Sequence, residues 1–282
     1  MRWFYKKGSL ADQQWEVLVD GRIPGWQRTG LKIATLELDQ RLELVDVSVE
    51  RVVIPLSGKF RVAFESRFES GVQELQGRAS VFSGPTDTLY LPAGSKARIS
   101  GLGQIAIAEA MASKRKDVAY IPAENVQIEI RGAGSSSRQV NNFGTPGVLD
   151  ADRIIVCEVL TPSGNWSSYP PHKHDEYVPG QQSNLEEIYY FQVSIPTSEV
   201  RSRQGDPIGY FRNYGNGIKE IDTLAEVRSG DVALVPHGWH GPAMAAPGYD
   251  LYYLNVMAGP DPDRDWNIID DPNHAWVRES WS

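Results

Sequence analysis

Cysteine, long apolar runs and a signal-peptide pattern are scarce or absent in this sequence. The single cysteine, Cys157, excludes an internal disulfide framework and fits a reducing compartment. It lies in the alternating stretch IIVCEVL, which predicts a small buried side chain and not a nucleophile. No window approaches the roughly 20 apolar residues of a membrane-spanning helix, and the N-terminal MRWFYKKGSLADQQW has no apolar segment typical of a signal peptide. We therefore expect a cytoplasmic protein that does not bind a membrane.

Net positive charge is lacking as well. The formal net charge is −8 and the isoelectric point is about 5.2, which argues against nucleic acid or an anionic membrane as the main partner. The length of 282 residues allows one large domain or two smaller ones. A hydrophobic content of 41% is enough for a sizeable core, and 8 Trp and 12 Tyr suit a sheet-rich structure.

Helical periodicity is rare, whereas short alternating stretches recur along the chain. The segments LKIATLELDQRLELVDVSVERVVIPLSG, KFRVAFES and GQIAIAEA alternate apolar and polar residues, and Gly, Pro, Ser and Asp separate them. Many short strands with regular turn signals predict an all-β sandwich or barrel.

The two halves of the sequence are alike in outline. Each of the segments DTLYLPAGSKARI (87–99) and DVALVPHGWHGPAMA (231–245) describes an apolar strand, a sharp turn at Pro-x-Gly and a returning strand. Residues 131–147, RGAGSSSRQVNNFGTPG, are rich in Gly, Ser and Asn and predict a connecting loop. We therefore predict a duplicated β-domain with units at residues 1–133 and 134–282.

Histidine does not occur before position 172, so only the second unit can carry a site built from imidazoles. Residues i and i+2 of a strand point to the same side, which lets His172 and His174 share one face. The five histidines of the chain are His172, His174, His237, His240 and His274.

Carboxylates near these histidines complete a metal-binding pattern. Either Glu186 or Glu187, at the head of the apolar run EEIYYFQVSIP, can add an oxygen ligand, because strand alternation turns one of them inward. A third imidazole can come from His237 or His240 in the turn VPHGWH. Three imidazoles and a carboxylate suit Zn, Mn, Fe, Co or Ni.

These segments carry a resemblance to a known family. The HKH pair, the downstream glutamate and the segment GDVALVPHGWH resemble the two-part signature of the cupins. More closely, GNWSSYPPHKHD, NLEEIYYFQ, PGYDLYYLNVMAGP and DDPNHAWV resemble the 5-deoxy-glucuronate isomerases of myo-inositol breakdown. Those enzymes are relatives of the 5-keto-4-deoxyuronate isomerases of pectin breakdown. The resemblance spans nearly the full sequence.

The resemblance implies an all-β bicupin, with two tandem jelly-roll barrels of which the first lacks metal ligands. The implied reaction is an aldose–ketose isomerisation that converts 5-deoxy-D-glucuronate to 5-dehydro-2-deoxy-D-gluconate. The alternatives are an isomerase of a pectin-derived 5-keto-4-deoxyuronate and a metal-dependent cupin dioxygenase. The implied cofactor is a divalent metal ion, with Zn, Mn or Fe as candidates. Its implied ligands are His172, His174, Glu187 and His240.

The expected partner is a small uronic acid, and exposed sheet edges allow association into a homo-oligomer. The general base stays open between Tyr189, which shares the Glu187 face, and Asp175. Substrate contacts are expected from Tyr253 and Asn255, which alternate together on the LYYLNVM strand.

The substrate carboxylate needs a cation, and an arginine fork suits a carboxylate. Arg203 and Arg212 lie between the ligand segments and are our candidates for this contact.

Overall fold

The computed structural model describes residues 3–196 and 205–281, and strands dominate it. The strands form a nine-stranded, a seven-stranded and a six-stranded sheet and one separate two-stranded ribbon. They build two tandem jelly-roll barrels, so the prediction of an all-β chain with two barrels is confirmed. In the part of the chain that the structure describes, no helix is long and apolar enough to cross a membrane.

The first barrel is built from β2 to β10, and its longest strand, β9, belongs to both of its faces. The second half of β9 pairs with β3 and β5, and its first half pairs with β4 and β6. The larger face has the order β10-β8-β5-β9-β3-β2. The strands of this half are β1 (Phe4–Tyr5), β2 (Val17–Val19), β3 (Thr29–Leu36), β4 (Arg41–Leu44), β5 (Val49–Pro55), β6 (Gly58–Glu65), β7 (Ser70–Arg78), β8 (Thr88–Leu91), β9 (Lys96–Met111), β10 (Ala119–Ile121) and β11 (Gln127–Arg131).

The second barrel pairs a large sheet, in the order β1-β21-β18-β23-β13-β12-β11, with a smaller one, in the order β20-β19-β22-β15-β24. Strand β14 lies beside β22, and β16 and β17 form the ribbon. Short 3-10 helices occupy Ala123–Asn125, Gly134–Ser136 and Ala275–Trp281. The strands of this half are β12 (Arg138–Gly144), β13 (Ile155–Thr161), β14 (Trp166–Ser167), β15 (His172–Lys173), β16 (Asp175–Val178), β17 (Gln182–Asn184), β18 (Glu186–Ser194), β19 (Gly209–Tyr214), β20 (Asp222–Val227), β21 (Val232–Val235), β22 (Trp239–Ala245), β23 (Asp250–Ala258) and β24 (Ile269–Asp270).

Two strands of the N-terminal half lie at the edges of the second barrel's large sheet. Strand β1 pairs with β21, and β11 pairs with β12. The division at residues 1–133 and 134–282 stays a prediction. The prediction of a connecting loop over 131–147 is wrong at its centre, because β12 is a mostly buried strand. Its polar residues can be buried because they find partners inside, as Asn141 does by donating to Glu158 at 2.8 Å.

The large sheets of the two barrels share one strand order, and a glutamate of each binds backbone N–H groups of the other half of the chain. The order β8-β5-β9-β3-β2 matches β21-β18-β23-β13-β12. On β5, the carboxylate of Glu50 accepts the backbone N–H groups of residues 152–154 at 2.6–2.8 Å. On β18, the carboxylate of Glu186 accepts those of residues 27–29 in the first barrel. Each barrel therefore binds the chain segment that leads into the other barrel's sheet.

Strand alternation assigns the side chains of β18 to two different cores. Ile188 and Tyr190 pack in the apolar layer between the two large sheets. Tyr189 and Phe191 pack inside the second barrel. Glu187, two residues before Tyr189, therefore points into the same interior.

Candidate metal centre and its cavity

Three histidines and one glutamate meet inside the second barrel. His172 begins β15 and is the register partner of His240 on β22. His174 follows β15, and Glu187 comes from β18 on the opposite sheet. The candidate ligand nitrogens of the three histidines lie within 4.8 Å of one another, and all four side chains are buried. The structure thus brings together the four residues named as ligands from the sequence.

Each imidazole of this cluster is oriented by a backbone carbonyl that faces its Nδ1 atom. A proton on Nδ1 leaves the lone pair of Nε2 free. Donation from Nδ1–H to a carbonyl oxygen is typical of histidines that bind metal ions through Nε2. The Nδ1 atoms of His172, His174 and His240 lie 3.3, 3.1 and 3.3 Å from the carbonyl oxygens of Pro170, Leu185 and Gly238, respectively.

The carboxylate of Glu187 lies between two of these Nε2 atoms. Its Oε2 atom is 3.1 Å from Nε2 of His174 and 3.1 Å from Nε2 of His240. The contact with His240 is not directed as a hydrogen bond, so this buried nitrogen has no hydrogen-bond partner among the described residues. A buried lone pair without a partner is costly, and a bound cation would satisfy it. Three imidazole nitrogens and a carboxylate oxygen therefore fit a divalent metal ion.

Electrostatics within the cluster favours neutral imidazoles beside an ionised carboxylate. Burial lowers the pKa of His172 well below its usual value and also lowers the pKa of His240. Burial alone would raise the pKa of Glu187, but its contacts with the imidazoles hold that pKa at about 2. His174 differs, because the hydrogen bond and charge of Glu187 outweigh burial and raise its pKa. Most of the cluster is thus already in the deprotonated state that metal ligation requires.

The competing residues of the sequence pattern point elsewhere. Glu186 lies on the opposite side of β18 and is bound to the backbone of residues 27–29. His237 lies outside the cluster, with its Nε2 atom 3.5 Å from the carbonyl oxygen of Glu220.

A glycine next to His240 allows two ligand segments to approach closely. Gly241 has a φ of +96°, in the region that favours glycine. A Cβ atom at this position would lie 1.8 Å from the carbonyl oxygen of Ser168. The absence of a side chain therefore lets β22 pack directly on the segment that leads to His172.

A cavity of about 480 Å³ reaches this cluster, and His172 and Glu187 form part of its wall. That volume lies within the range of small-molecule sites. Three residues expected from the sequence to serve the substrate or the chemistry also line it: Tyr189, Tyr253 and Asn255.

The cavity wall presents neutral hydrogen-bonding groups beside the histidines. The Oγ atom of Ser168 lies 3.2 Å from the hydroxyl of Tyr189 and 3.1 Å from that of Tyr253. Burial raises the pKa of Tyr189 well above its usual value and that of Tyr253 to about 12, so both hydroxyls are protonated at neutral pH. The buried Nδ2 atom of Asn255 has no hydrogen-bond partner among the described residues.

Asp175, the other residue named as a base, does not line the cavity. Its carboxylate accepts hydrogen bonds from Lys173 Nζ, Asn216 Nδ2 and the Gly238 backbone, each at 2.9 Å. Burial would raise the pKa of Asp175, but the backbone N–H of Gly238 and the ammonium of Lys173 lower it. The carboxylate thus holds together three segments that surround the histidines.

Arg212, one of the two arginines named for the substrate carboxylate, does not line the cavity. Arg212 forms an ion pair with the exposed Asp222, and its guanidinium lies 5.3 Å from the ring centroid of Tyr214. Arg203 lies outside the described residues.

The cavity wall also contains residues that the sequence analysis does not identify. They include a buried arginine, Arg138, at the start of β12. The stretch RQVNNF gives no strand signal of period two, because its apolar residues, Val140 and Phe143, lie three positions apart. The others include Ser168, Trp266 and Trp281.

The first barrel carries an ion pair at the position that corresponds to Glu187. Arg51 follows Glu50 on β5 as Glu187 follows Glu186 on β18. The guanidinium of Arg51 is fully buried, with Nε 2.8 Å from Glu109 and Nη1 3.1 Å from the carbonyl oxygen of Ser95. A satisfied cation thus occupies the place where the second barrel has the carboxylate of Glu187.

The chain is similar to known proteins over most of its length. Residues 3–277 match the model of the KduI/IolB family. The 5-deoxy-glucuronate isomerase of Geobacillus thermodenitrificans is 36% identical, over 94% of this chain and 91% of that protein. The enzyme of the same name from Bacillus subtilis strain 168 is 36% identical, over 82% of this chain and 80% of that protein.

The fold is also similar to that of solved structures. An IolB-like protein from Salmonella typhimurium LT2 matches with a TM-score of 0.85 and 29% identity, over 98% of each chain. Oxalate decarboxylase from Lactobacillus farciminis, in complex with formate, matches with a TM-score of 0.65 over 95% of this chain and 88% of that one. At 11% identity, the second similarity concerns the fold alone. From the family match and the identity to its relatives, we conclude that this chain belongs to the KduI/IolB family.

Proposed function

We propose that this protein is an aldose–ketose isomerase that converts 5-deoxy-D-glucuronate to 5-dehydro-2-deoxy-D-gluconate in myo-inositol catabolism. The observation that carries the proposal is the buried cluster of three histidines and Glu187 at the end of a sugar-sized cavity. Family membership gives it support, because relatives that match over most of the chain are named 5-deoxy-glucuronate isomerase.

We propose that the cluster binds a divalent cation, with Zn, Mn or Fe as the candidates. The ligands would be Nε2 of the three histidines and one oxygen of Glu187, the atoms that their surroundings leave available. When bound, such a cation acts as a Lewis acid that favours charge development on the substrate's carbonyl and hydroxyl oxygens.

The chain's own groups account for the rest of the proposed site. The isomerisation removes a proton from C2, adds one to C1 and moves the hydroxyl proton from O2 to O1. Negative charge therefore develops on the two oxygens, and donors already in place stabilise it without reorganising. The hydroxyls of Tyr189 and Tyr253 and the free amide of Asn255 are such donors in the same cavity. Of the two base candidates, Tyr189 lines the cavity and Asp175 does not, and we assign to Tyr189 the role of a neutral proton donor.

We also propose a partner, an oligomeric state and a cellular location for this enzyme. A small uronic acid is the proposed partner, and association into a homo-oligomer is proposed from the sheet edges. A cytoplasmic location is in keeping with the single buried cysteine.

The test combines elemental analysis of the purified protein with an isomerase assay. We expect a divalent metal near one equivalent per chain and turnover of 5-deoxy-D-glucuronate in preference to the pectin-derived 5-keto-4-deoxyuronate. The His172→Ala variant should lose both metal and activity, because it removes a ligand. His237→Ala is the matched control, since it removes a histidine outside the cluster.

Two outcomes would contradict the proposal. Activity that survives both exhaustive chelation and the His172→Ala substitution excludes a metal-dependent isomerase. Consumption of oxygen during turnover, measured with an oxygen electrode, would instead identify a dioxygenase.

A further inference from the structure

Three arginines line the cavity that reaches the metal centre, and two of them already have carboxylate partners. Nε of Arg131 lies 2.9 Å from a carboxylate oxygen of Glu129. The guanidinium of Arg278 forms an ion pair with Asp270, in which Nη2 donates at 2.7 Å. Their charges are therefore compensated within the protein.

Arg138 differs from both of them. It is 9% exposed, and no carboxylate of the described residues pairs with it. Only its Nη1 atom donates hydrogen bonds there, to the carbonyl oxygens of Ser136 at 3.1 Å and Tyr169 at 3.5 Å. A guanidinium carries five N–H groups in a planar fork, so most of the donors of Arg138 remain available in the cavity.

An unpaired buried cation is expensive, and other buried arginines of this chain avoid that cost. Arg51 pairs with Glu109, and Arg78 pairs with Glu158. Arg264, which is half-buried, has no such ion pair among the described residues, but three backbone carbonyls accept from its guanidinium at 2.6–2.7 Å. Arg138 has no carboxylate partner among the described residues. Two carbonyls accept from its Nη1 atom alone, and its guanidinium lies 5.6 Å from the ring centroid of Trp281. The cavity beside it therefore suits an anion supplied from outside.

Arg138 is linked to the candidate metal centre through one short segment of the chain. One of its acceptors, the carbonyl of Tyr169, immediately precedes Pro170, whose own carbonyl faces Nδ1 of His172. Arg138 and His172 line the same cavity of about 480 Å³. A single short segment thus contacts both the unpaired guanidinium and a candidate metal ligand.

We propose that Arg138 binds the carboxylate of the uronic acid substrate, while the carbonyl end of the sugar lies at the metal centre. This inference rests on the proposed function and deepens it. The guanidinium forms a charge-assisted, fork-like contact with the carboxylate. The contact makes the site selective for uronic acids over neutral sugars, and the arginines named from the sequence, Arg203 and Arg212, are not required for it.

The test compares two probes that differ only in charge at C6: D-glucuronate and its neutral amide, D-glucuronamide. Binding to the metal-loaded protein is measured by isothermal titration calorimetry. We expect the wild-type protein to bind glucuronate at least about tenfold more tightly than the amide. In Arg138→Gln the dissociation constant for glucuronate should rise by about 10- to 100-fold, while that for the amide stays nearly constant.

Matched variants separate binding from folding. Arg212→Gln removes a half-buried, paired arginine away from the cavity and should leave both constants unchanged. Arg138→Lys keeps a charge but loses the fork, so its affinity for glucuronate should be intermediate. Metal content should be the same in all variants. The melting temperature of Arg138→Gln should stay close to that of the wild type, because the substitution removes a buried cation that has no carboxylate partner.

Two results would overturn the inference: a wild-type protein that does not distinguish the acid from the amide, or an Arg138→Gln variant that retains the preference. If Arg138→Gln does not fold, an Arg138→Lys variant with wild-type affinity for glucuronate overturns it equally. The proposed function is judged separately, by turnover of 5-deoxy-D-glucuronate. A protein that binds glucuronate through Arg138 without this turnover retains the carboxylate site and loses the isomerase assignment.

Discussion

The contact between Arg78 and Glu158 is a buried ion pair that joins the two barrels. Arg78 ends β7, and Nη1 and Nη2 donate to the two carboxylate oxygens of Glu158 at 2.8 and 2.7 Å. Tyr252 and Asn141 donate to the same carboxylate at 2.9 and 2.8 Å. Burial alone would lower the pKa of Arg78, but the charge of Glu158 raises it. We predict that removing one partner destabilises the protein far more than removing both.

The magnitude follows from the burial of the pair. The two side chains are 3% and 0% exposed, so Arg78→Met or Glu158→Gln leaves the other group without its charge partner in a dry interior. Such a change costs about 3–5 kcal/mol. With about 2.1 cal/mol/K of unfolding entropy per residue and 282 residues, each single variant should melt about 5–8 °C below the wild type. The double variant should melt closer to the wild type than either single variant does, because no isolated charge remains.

The assay is thermal unfolding followed by calorimetry and near-ultraviolet circular dichroism, with urea titrations for the free energies. Arg61→Met is the control, because it removes one partner of an exposed pair with Glu74 and should cost at most about 1 kcal/mol. Single variants that melt within about 2 °C of the wild type would refute the reasoning. Additive costs in the double variant would refute it as well, because they would mean that the two charges do not interact.

Two further predictions concern the metal centre and the cysteine. Glu187→Gln should lower metal affinity by at least about tenfold, whereas Glu186→Gln should leave it unchanged and lower stability by about 1–3 kcal/mol. Equal metal loss in both variants, measured by elemental analysis, would contradict the assignment of Glu187. Cys157 is fully buried, and burial raises its pKa to about 12. The pKa of the same thiol in the unfolded chain is near 9. The buried thiol therefore contributes fully to stability below that pH, and its contribution declines as pH rises toward 12. At pH 8, a thiol reagent should label Cys157 only after unfolding in urea, and rapid labelling of the native protein would contradict the buried assignment.

Part of this protein could be predicted from short-range patterns. Alternation with a period of two indicates strands, and in β18 the same alternation carries Glu187 and Tyr189 to one side. The spacing of His172 and His174 follows the same rule, and the Pro-x-Gly turn before His240 is a local signal. These features depend on backbone geometry over a few residues, which a sequence records directly.

The choice between equivalent local patterns required long-range information. Glu186 and Glu187 are neighbours, and strand period alone does not decide which of them faces the interior. The backbone N–H groups of residues 27–29 bind Glu186, and these donors lie more than 150 positions away in the chain. Likewise, His237 and His240 lie only three positions apart in the sequence, but only His240, on β22, is paired in register with His172.

The sequence by itself determined that the chain forms strands, that its halves are alike and that histidines of the second half gather into one metal-binding pattern. The tertiary structure decided which charges are paired. Arg138 lies in a stretch whose Gly and Ser content predicts a loop, whereas Arg203 and Arg212 lie between the ligand segments of the sequence. Whether an arginine is free for a substrate depends on which carboxylates reach it, and Arg131, Arg278 and Arg212 each have one. That property arises from contacts between distant segments, because a charge interacts with whatever the fold brings near it.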